Sequence, residues 1–372
     1  MNFKNKDILF IITFLSSFFY LAKVTSFSPI YIMLPLFLLY MSVKISRNFM
    51  FSSSCVILLY FMLYLTGSIY ISSNYSALIN LYLGCISFIV FYSYLHDKKY
   101  SASLLFDDVK IALGIVLFFI TIDTIWRLTN PGAPTEAIEM ALQNQSGLGF
   151  YLYKYNTFMF ADSNSIGIAL QCIFFLLLFF SRKGYRSNKL MFYTFVLILL
   201  TFSRAAILAT VIMYVIINFK LYKNIIFQVL LGLLITIITI IFLLFYHVDI
   251  NLKDGSALSK FYILDVFYNY LLNSNALQLL FGCGGGETKN VLGIYGHISF
   301  VTSIVDIGLF GTIIYAIFFI VSVLKTKGES LIIILPIAIS SLSYVLYLGV
   351  AFMFIPLAII EYIKIKENQN EE

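Results

Sequence analysis

The segment LMFYTFVLILLTFSRAAILATVIMYVIINF, residues 190–219, is apolar along both halves and carries Ser203 and Arg204 near its centre. A single helix of this length would extend about 45 Å, too long for one perpendicular crossing of a roughly 30 Å hydrocarbon core and too short for two. Basic residues flank both ends of the segment, so both ends are expected on the same side of a membrane. The sequence therefore predicts a short hairpin whose turn, at Ser203 and Arg204, is recessed below the outer surface.

The composition of the whole chain supports a membrane location. Of the 372 residues, 61% are hydrophobic and only 11% are charged, and the mean hydropathy is +0.94. Apolar stretches near or above the roughly 18–20 residues that cross a bilayer recur from end to end. The sequence therefore predicts an all-α polytopic membrane protein, and we expect a single integral membrane domain over residues 1–372.

The distribution of lysine and arginine predicts the topology, because short cytoplasmic loops are enriched in these residues. If every basic group is cytoplasmic, each stretch between two groups leaves the cytoplasm and returns, which gives about twelve spans with both termini inside. The seven groups are Lys4 and Lys6; Lys44 and Arg47; Lys98, Lys99 and Lys110; Arg182, Lys183, Arg186 and Lys189; Lys220 and Lys223; Lys325 and Lys327; Lys364 and Lys366. The expected spans are 8–24, 29–43, 50–70, 77–95, 111–128, 163–181, 190–202, 205–219, 225–247, 298–324, 331–346 and 349–363.

Two outer loops are long, residues 129–162 and 248–296, and loops of this length are uncommon unless they carry function. In the second loop, Phe261, Leu264, Phe267 and Leu271 recur at helical spacing after Ser256, a candidate helix cap. This pattern predicts an amphipathic helix on the outer surface of the membrane.

The charged side chain of Arg204, at or within the hydrocarbon boundary, has two interpretations. It could reach the lipid headgroups without any specific function. Alternatively, it marks a substrate path, because intramembrane charges are costly, and its planar guanidinium suits a phosphate or diphosphate.

The end of the second long loop holds two further candidates. Glycines 282, 284, 285 and 286 form either a flexible turn or a functional loop, but no Lys-Ser or Lys-Thr follows them, so the segment is not a phosphate loop of NTPases. His297 follows, immediately before an apolar run that opens with Ile298. A histidine there can act as a base, an acid or a hydrogen-bond donor to a diphosphate, or it can simply cap the helix.

Other polar residues of the two loops are weaker candidates, each with a structural alternative. Asp162 and Asn164 could simply cap the next helix, and Asp123 and Arg127, four residues apart, could simply pair. Glu287 and Lys289 read by default as solvated loop charges, and Asp306 should face protein or water. Possible further contacts with an anion are Arg127, Lys154 and Lys260.

The sequence contains no pattern typical of a metal site. The histidines at 96, 247 and 297 are scattered, and no HExxH, CxxC or DxD motif is present. We therefore expect no metal and no cofactor, which weighs against nucleotide-sugar chemistry that uses a divalent ion.

Three segments resemble the bacterial O-antigen polymerase and O-antigen ligase superfamily: TFSRAAILA at 201–209, FADSNSIGIAL at 160–170, and GCGGGETKNVLGIYGHISFVTSIVDIGLFG at 282–311. The resemblance covers roughly residues 120–320. Two positions depart from the family pattern. Ile298 follows the histidine where the family usually has Asn, and Lys260 stands where the large loop often has an arginine.

The resemblance implies a GT-C-like glycosyltransferase in the bacterial inner membrane, with its active site in the periplasm. It assigns catalytic roles to Arg204 and His297, and it leaves Arg127, Lys154, Lys260, Asp162, Asn164, Glu287 and Lys289 as substrate-binding candidates. The expected donor and acceptor are polyprenyl-diphosphate-linked oligosaccharides, with membrane lipid and a chain-length regulator as further partners and no nucleic acid. By analogy with surface-polysaccharide polymerases we favour polymerase over ligase.

A flippase or another transporter of lipid-linked glycans is the competing hypothesis. Transporters usually show internal repeats and a midplane site between interrupted helices. The unusual residues of this chain are concentrated instead in two outer loops and one hairpin turn, which favours an enzyme.

Overall fold

The computed structural model describes residues 7–19, 28–44, 52–72, 75–132, 149–219, 255–294, 296–342 and 350–371. Within these ranges the protein is all-helical and has no β-strand. The helices are α1 Ile8–Ser16, α2 Ile30–Lys44, α3 Ser53–Ser68, α4 Tyr75–Asp97, α5 Ala102–Thr129, α6 Ser163–Arg182, α7 Asn188–Leu200, α8 Arg204–Asn218, α9 Gly255–Asn273, α10 Ala276–Phe281, α11 Thr288–Leu292, α12 Ser299–Lys325, α13 Leu331–Ser340 and α14 Ala351–Glu371. A short 3₁₀ helix, Gly149–Lys154, precedes α6.

Three helices, α4, α6 and α12, are long and apolar enough to cross a membrane by length and composition. Five shorter apolar helices, α2, α3, α7, α8 and α13, accompany them. Eleven of the twelve expected spans contain a described helix, whereas α9, α10 and α11 lie in the expected outer loop 248–296, and the expected span 225–247 lies outside the described residues.

Several of the expected boundaries are wrong, including the end of α13, at Ser340 instead of 346, and the end of α14, at Glu371 instead of 363. The fifth helix begins at Ala102, about two turns before the expected start at 111, because the Ser101 side chain caps it by accepting a hydrogen bond from the Leu104 amide at 3.3 Å. Lys110 therefore lies within α5 and not in a loop. At the N-terminus, α1 ends at Ser16, well short of the expected end at 24.

The centre of the bundle is α6, in which every residue from Ser165 to Phe180 is buried. A helix that is apolar on all sides needs protein or lipid around its whole circumference, and here protein surrounds it. The first half of α14 is buried in the same way, from Ala351 to Ile363. These two helices fix the positions of the elements that carry the polar residues at their ends.

Ion pairs gather at the end of the bundle where α6 and α14 finish, which we call the basic end. Glu361 and Glu367 of α14 lie 4.0 Å from Lys325 Nζ and 2.5 Å from Lys183 Nζ, respectively. Other contacts there join Lys98 with Asp7, Arg182 with Glu329, and Lys366 with the carbonyl of Tyr100. Four of the basic groups in the sequence thus share one end, although their orientation toward the cytoplasm stays a prediction.

Candidate functional site

The predicted hairpin is present at the opposite end, where α6 begins. Its arms are α7 and α8, of 13 and 15 residues, and the turn between them covers residues 201–203. The turn is held by hydrogen bonds from the amides of Thr201 and Phe202 to the preceding turn of α7. Phe202 has a φ of 53°, a left-handed conformation that is uncommon for an aromatic residue, and Arg204 follows as the exposed first residue of α8.

Arg127 ties this turn to the first long loop. The side chain is fully buried; it donates from Nη2 to the carbonyl of Leu200 at 2.5 Å and from Nη1 to the carbonyl of Tyr153. The guanidinium also lies 5.9 Å from the centre of the Phe202 ring. Arg127 therefore acts as a buried clamp that holds the end of α7 against the first long loop. A direct contact between Arg127 and a bound anion stays a prediction.

The expected pairing of Asp123 with Arg127 accounts for only part of the contacts of Asp123. The two residues interact electrostatically, but the Asp123 carboxylate accepts hydrogen bonds from the amides of Phe158 and Met159, at 2.7 and 3.1 Å. Asp123 thereby holds the end of the long loop against α5.

Lys154, the last residue of the 3₁₀ helix, is only 6% exposed. Burial, together with the positive charges of Arg204 and Arg127, lowers the pKa of its ammonium group to about 8, and the Asp162 carboxylate opposes this change. These interactions bring Lys154, Arg204 and Asp162 into one electrostatic environment.

Asp162 caps α6, as the sequence predicts. Its carboxylate accepts hydrogen bonds from the amide and the hydroxyl of Ser165, at 2.9 and 2.8 Å, and from Asn164 Nδ2 at 3.0 Å. One turn further on, Gly167 faces the start of α8 so closely that a Cβ there would come within 2.8 Å of Ala206 Cβ. The beginnings of α6 and α8 are therefore in direct contact.

His297 reaches the same region from the other long loop. It is exposed, and α12 begins two residues later with Ile298 at the N-cap. The protein around the imidazole lowers its pKa, as does the positive charge of Lys260, while Asp162 opposes both. Lys260 also lies with its Nζ 3.5 Å from the carbonyl oxygen of His297.

Lys260 belongs to the expected amphipathic helix, which the structure contains as α9. The helix begins at Gly255, one residue before the expected cap position. Its buried residues are Ile263 and Phe267, which pack against α11 and α12, whereas Phe261 and Leu271 are exposed. The apolar face predicted from the sequence is therefore partly wrong. The face that packs against α11 and α12 carries Ile263 and Phe267, and Lys260 lies on the same face.

The glycine-rich segment before His297 packs tightly against α12, which argues against a flexible turn. The helix is broken at Gly308, with φ 67° and ψ 179°, and a Cβ on Gly282 would come within 2.4 Å of the Asp306 carbonyl oxygen. The amides of Cys283 and Gly284 donate to the carbonyls of Val305 and Asp306, at 2.7 and 3.0 Å.

Of the two charged residues after the glycines, one differs from its default interpretation. Glu287 is only 8% exposed, and its carboxylate accepts a hydrogen bond from Asn290 Nδ2 at 2.8 Å, so it is not a solvated loop charge. Lys289 is exposed, as expected.

Pairwise electrostatic interactions link Arg204 with Lys154, Lys154 with Asp162, Asp162 with His297 and His297 with Lys260, and we call these five residues the charged cluster. The cluster contains three cationic side chains, one imidazole and one carboxylate, so its net charge favours an anion. The exposed Arg204 guanidinium can donate two parallel hydrogen bonds to phosphate oxygens. A histidine with a lowered pKa is largely neutral at pH 7 and can accept a proton.

Across the part of the chain that the structure describes, no group of three or more His, Cys, Asp or Glu side chains could hold a metal ion. His247 lies outside the described residues. A scan against models of protein families and a search among curated proteins find no match to this sequence.

Proposed function

We propose that this chain is an O-antigen polymerase: an integral membrane glycosyltransferase with about twelve spans and a GT-C-like architecture that joins repeat units of a surface polysaccharide. The observation that carries the proposal is that electrostatic interactions connect the elements that bear Arg204 and His297: Arg204 interacts with Lys154, and the Asp162 carboxylate interacts with both Lys154 and His297.

The reaction requires two chemical functions that the charged cluster can supply. A hydroxyl of the acceptor sugar would attack the anomeric carbon of a polyprenyl-diphosphate-linked glycan. A new glycosidic bond forms as the bond to the diphosphate oxygen breaks, and polyprenyl diphosphate leaves. Arg204 would stabilise the negative charge that develops on the diphosphate, and His297 would accept the proton of the hydroxyl. Fixed cationic side chains make a divalent metal unnecessary in this scheme.

The two ends of the bundle suit such a substrate. The lysine and arginine groups at the basic end fit a cytoplasmic orientation, which would turn the charged cluster toward the periplasm of a bacterial inner membrane. A donor anchored in the bilayer by its lipid tail would then present its diphosphate to a hairpin turn near the membrane surface.

The proposal is tested by incubating the purified protein with a polyprenyl-diphosphate-linked repeat unit in excess chelator and measuring elongation. Arg204→Ala should lower the rate about 30- to 1000-fold, which corresponds to about 2–4 kcal/mol of lost transition-state stabilisation. Arg204→Lys should be severely impaired as well, because an ammonium group cannot reproduce the bidentate contact. Arg186→Lys, an exposed position near the basic end, is the matched control and should elongate normally.

The possible outcomes separate the alternatives. Near wild-type elongation by Arg204→Lys would show that Arg204 does not make a bidentate contact with the donor diphosphate and instead contacts the lipid headgroups. Translocation of the donor without new glycosidic bonds would support a flippase, and transfer only to a lipid-linked core oligosaccharide would support a ligase. Activity that is lost in chelator and restored by magnesium or manganese would refute the metal-independent scheme.

A further inference from the structure

Asp306 carries a buried carboxylate that the proposed reaction does not use. It lies in α12, two residues before the break at Gly308, and is 5% exposed. Three hydrogen bonds converge on it from the segment before His297: from the Gly286 amide at 2.9 Å, and from the Thr288 amide and hydroxyl at 2.8 and 2.6 Å. A carboxylate is the side chain best suited to this role, because both of its oxygens only accept.

Thr288 transmits this restraint to the residue that precedes His297. Gly296 lies between two threonine side chains, so that a Cβ on it would come within 2.8 Å of Thr288 Cγ2 and 2.9 Å of Thr302 Oγ1. The hydroxyl of Thr302 also donates to the Gly296 carbonyl at 2.9 Å. The position of Thr288 therefore fixes the backbone from which the His297 side chain extends.

The break in α12 makes this contact possible. In an unbroken helix the carbonyls of Val305 and Asp306 would accept hydrogen bonds from the amides four residues later. Here they accept from Cys283 and Gly284 of the preceding segment. The Asp306 carboxylate and the carbonyls of Val305 and Asp306 thus accept hydrogen bonds from residues 283–288, in the segment that precedes His297.

We propose that Asp306 is a positioning residue that orients His297 through Thr288 and Gly296. This inference rests on the proposed function, in which His297 accepts the proton of the acceptor hydroxyl. Replacing Asp306 with asparagine puts an NH₂ donor opposite one of the three donors, so the segment shifts and the imidazole leaves its productive position. A displacement of about 1 Å is enough to slow catalysis on the order of 100-fold.

The kinetic test compares Asp306→Asn, His297→Ala and the double variant in the elongation assay. Asp306→Asn should lower kcat about 10- to 100-fold with little change in the KM of the donor. Because Asp306 acts through His297, the double variant should be no slower than His297→Ala alone. A double variant slower by the full factor of Asp306→Asn would overturn the inference, because it would indicate an independent structural effect.

Two further variants distinguish a positioning role of Asp306 from a general loss of folding. Thr288→Val removes only the hydroxyl bond and keeps the shape, so it should change kcat in the same direction by a smaller factor. Ser303→Ala is the matched control, because this buried serine of α12 donates only to the Ser299 carbonyl of its own helix, at 2.7 Å. A loss of activity in Ser303→Ala equal to that in Thr288→Val would also overturn the inference.

A spectroscopic test distinguishes this inference from the proposed function. The pKa of His297 is measured by NMR on histidine-labelled protein in detergent, with His297→Gln used for assignment. It should lie below 6.5 in the wild type and move toward 6.5 in Asp306→Asn, because the imidazole leaves the protein around it and Lys260. An unchanged pKa would overturn the positioning role even if elongation is observed. A shifted pKa in a protein that elongates nothing would refute the proposed function alone.

Discussion

Replacing Arg127 tests whether the candidate site depends on a buried clamp beneath it. The guanidinium is fully buried and donates to two backbone carbonyls, those of Leu200 and Tyr153. Hydrogen bonds from a charged donor contribute about 1.5–3 kcal/mol each, and a carbonyl left buried without a donor is costly in itself. We therefore expect Arg127→Met to lower the free energy of unfolding by about 3–5 kcal/mol.

The assay is thermal unfolding of the purified protein in detergent. A loss of this size should lower the melting temperature by roughly 4–6 °C. Arg127→Lys should lose most of the same stability, because a single ammonium group cannot bridge both carbonyls in the geometry of the guanidinium. The matched control is Arg204→Met, which removes an exposed charge and should change stability by less than about 1 kcal/mol while slowing elongation about 30- to 1000-fold.

Two results would contradict this reasoning. A wild-type melting temperature in Arg127→Met would show that the two carbonyls find other donors, so that no clamp is needed. A stable Arg127→Met protein that loses only elongation would instead support the direct anion contact that the sequence predicts for this residue.

Three further predictions concern separate parts of the molecule. Gly308→Ala should be destabilised by on the order of 2–4 kcal/mol in thermal unfolding, because its Cβ would come within 2.4 Å of the Gly282 nitrogen at a positive φ. The control is Gly114→Ala, which has nothing within 4 Å of its Cβ and should melt like the wild type. Equal stability of the two variants would contradict the close approach. A cysteine placed at position 290 should react with an impermeant reagent in whole cells and one at position 186 should not, and the reverse pattern would invert the proposed topology. Donor binding should weaken as the pH rises through about 8, where the Lys154 ammonium loses its charge. Lys154→Arg should move this loss of binding to higher pH, and the same pH profile in the variant and the wild type would exclude Lys154 from ligand binding.

The features that the sequence predicted correctly are those that depend on local rules. The hairpin turn followed from the length of one apolar segment, and the cap at Asp162 followed from its position before a helix. The place of His297 immediately before α12 followed from a polar residue at the edge of an apolar run.

Features that depend on packing between distant segments were not predictable in the same way. Four hydrophobic residues at helical spacing located α9, but the contacts with α11 and α12 decided that Ile263 and Phe267, not Phe261 and Leu271, are buried. Asp306 was visible as an acid within an apolar run, yet its role depends on donors about 20 residues earlier in the chain. No local pattern specifies such a pairing.

The break at Gly308 has a consequence for how the protein is made. The backbone of the glycine-rich segment is hydrogen-bonded to carbonyls of α12, a helix that the ribosome synthesises later. Until that helix is in place, the amides of Cys283 and Gly284 lack these acceptors and must be hydrogen-bonded to water instead. The orientation of His297 is therefore settled only late in synthesis and insertion, so a nascent chain that ends before Gly308 does not yet contain the complete site.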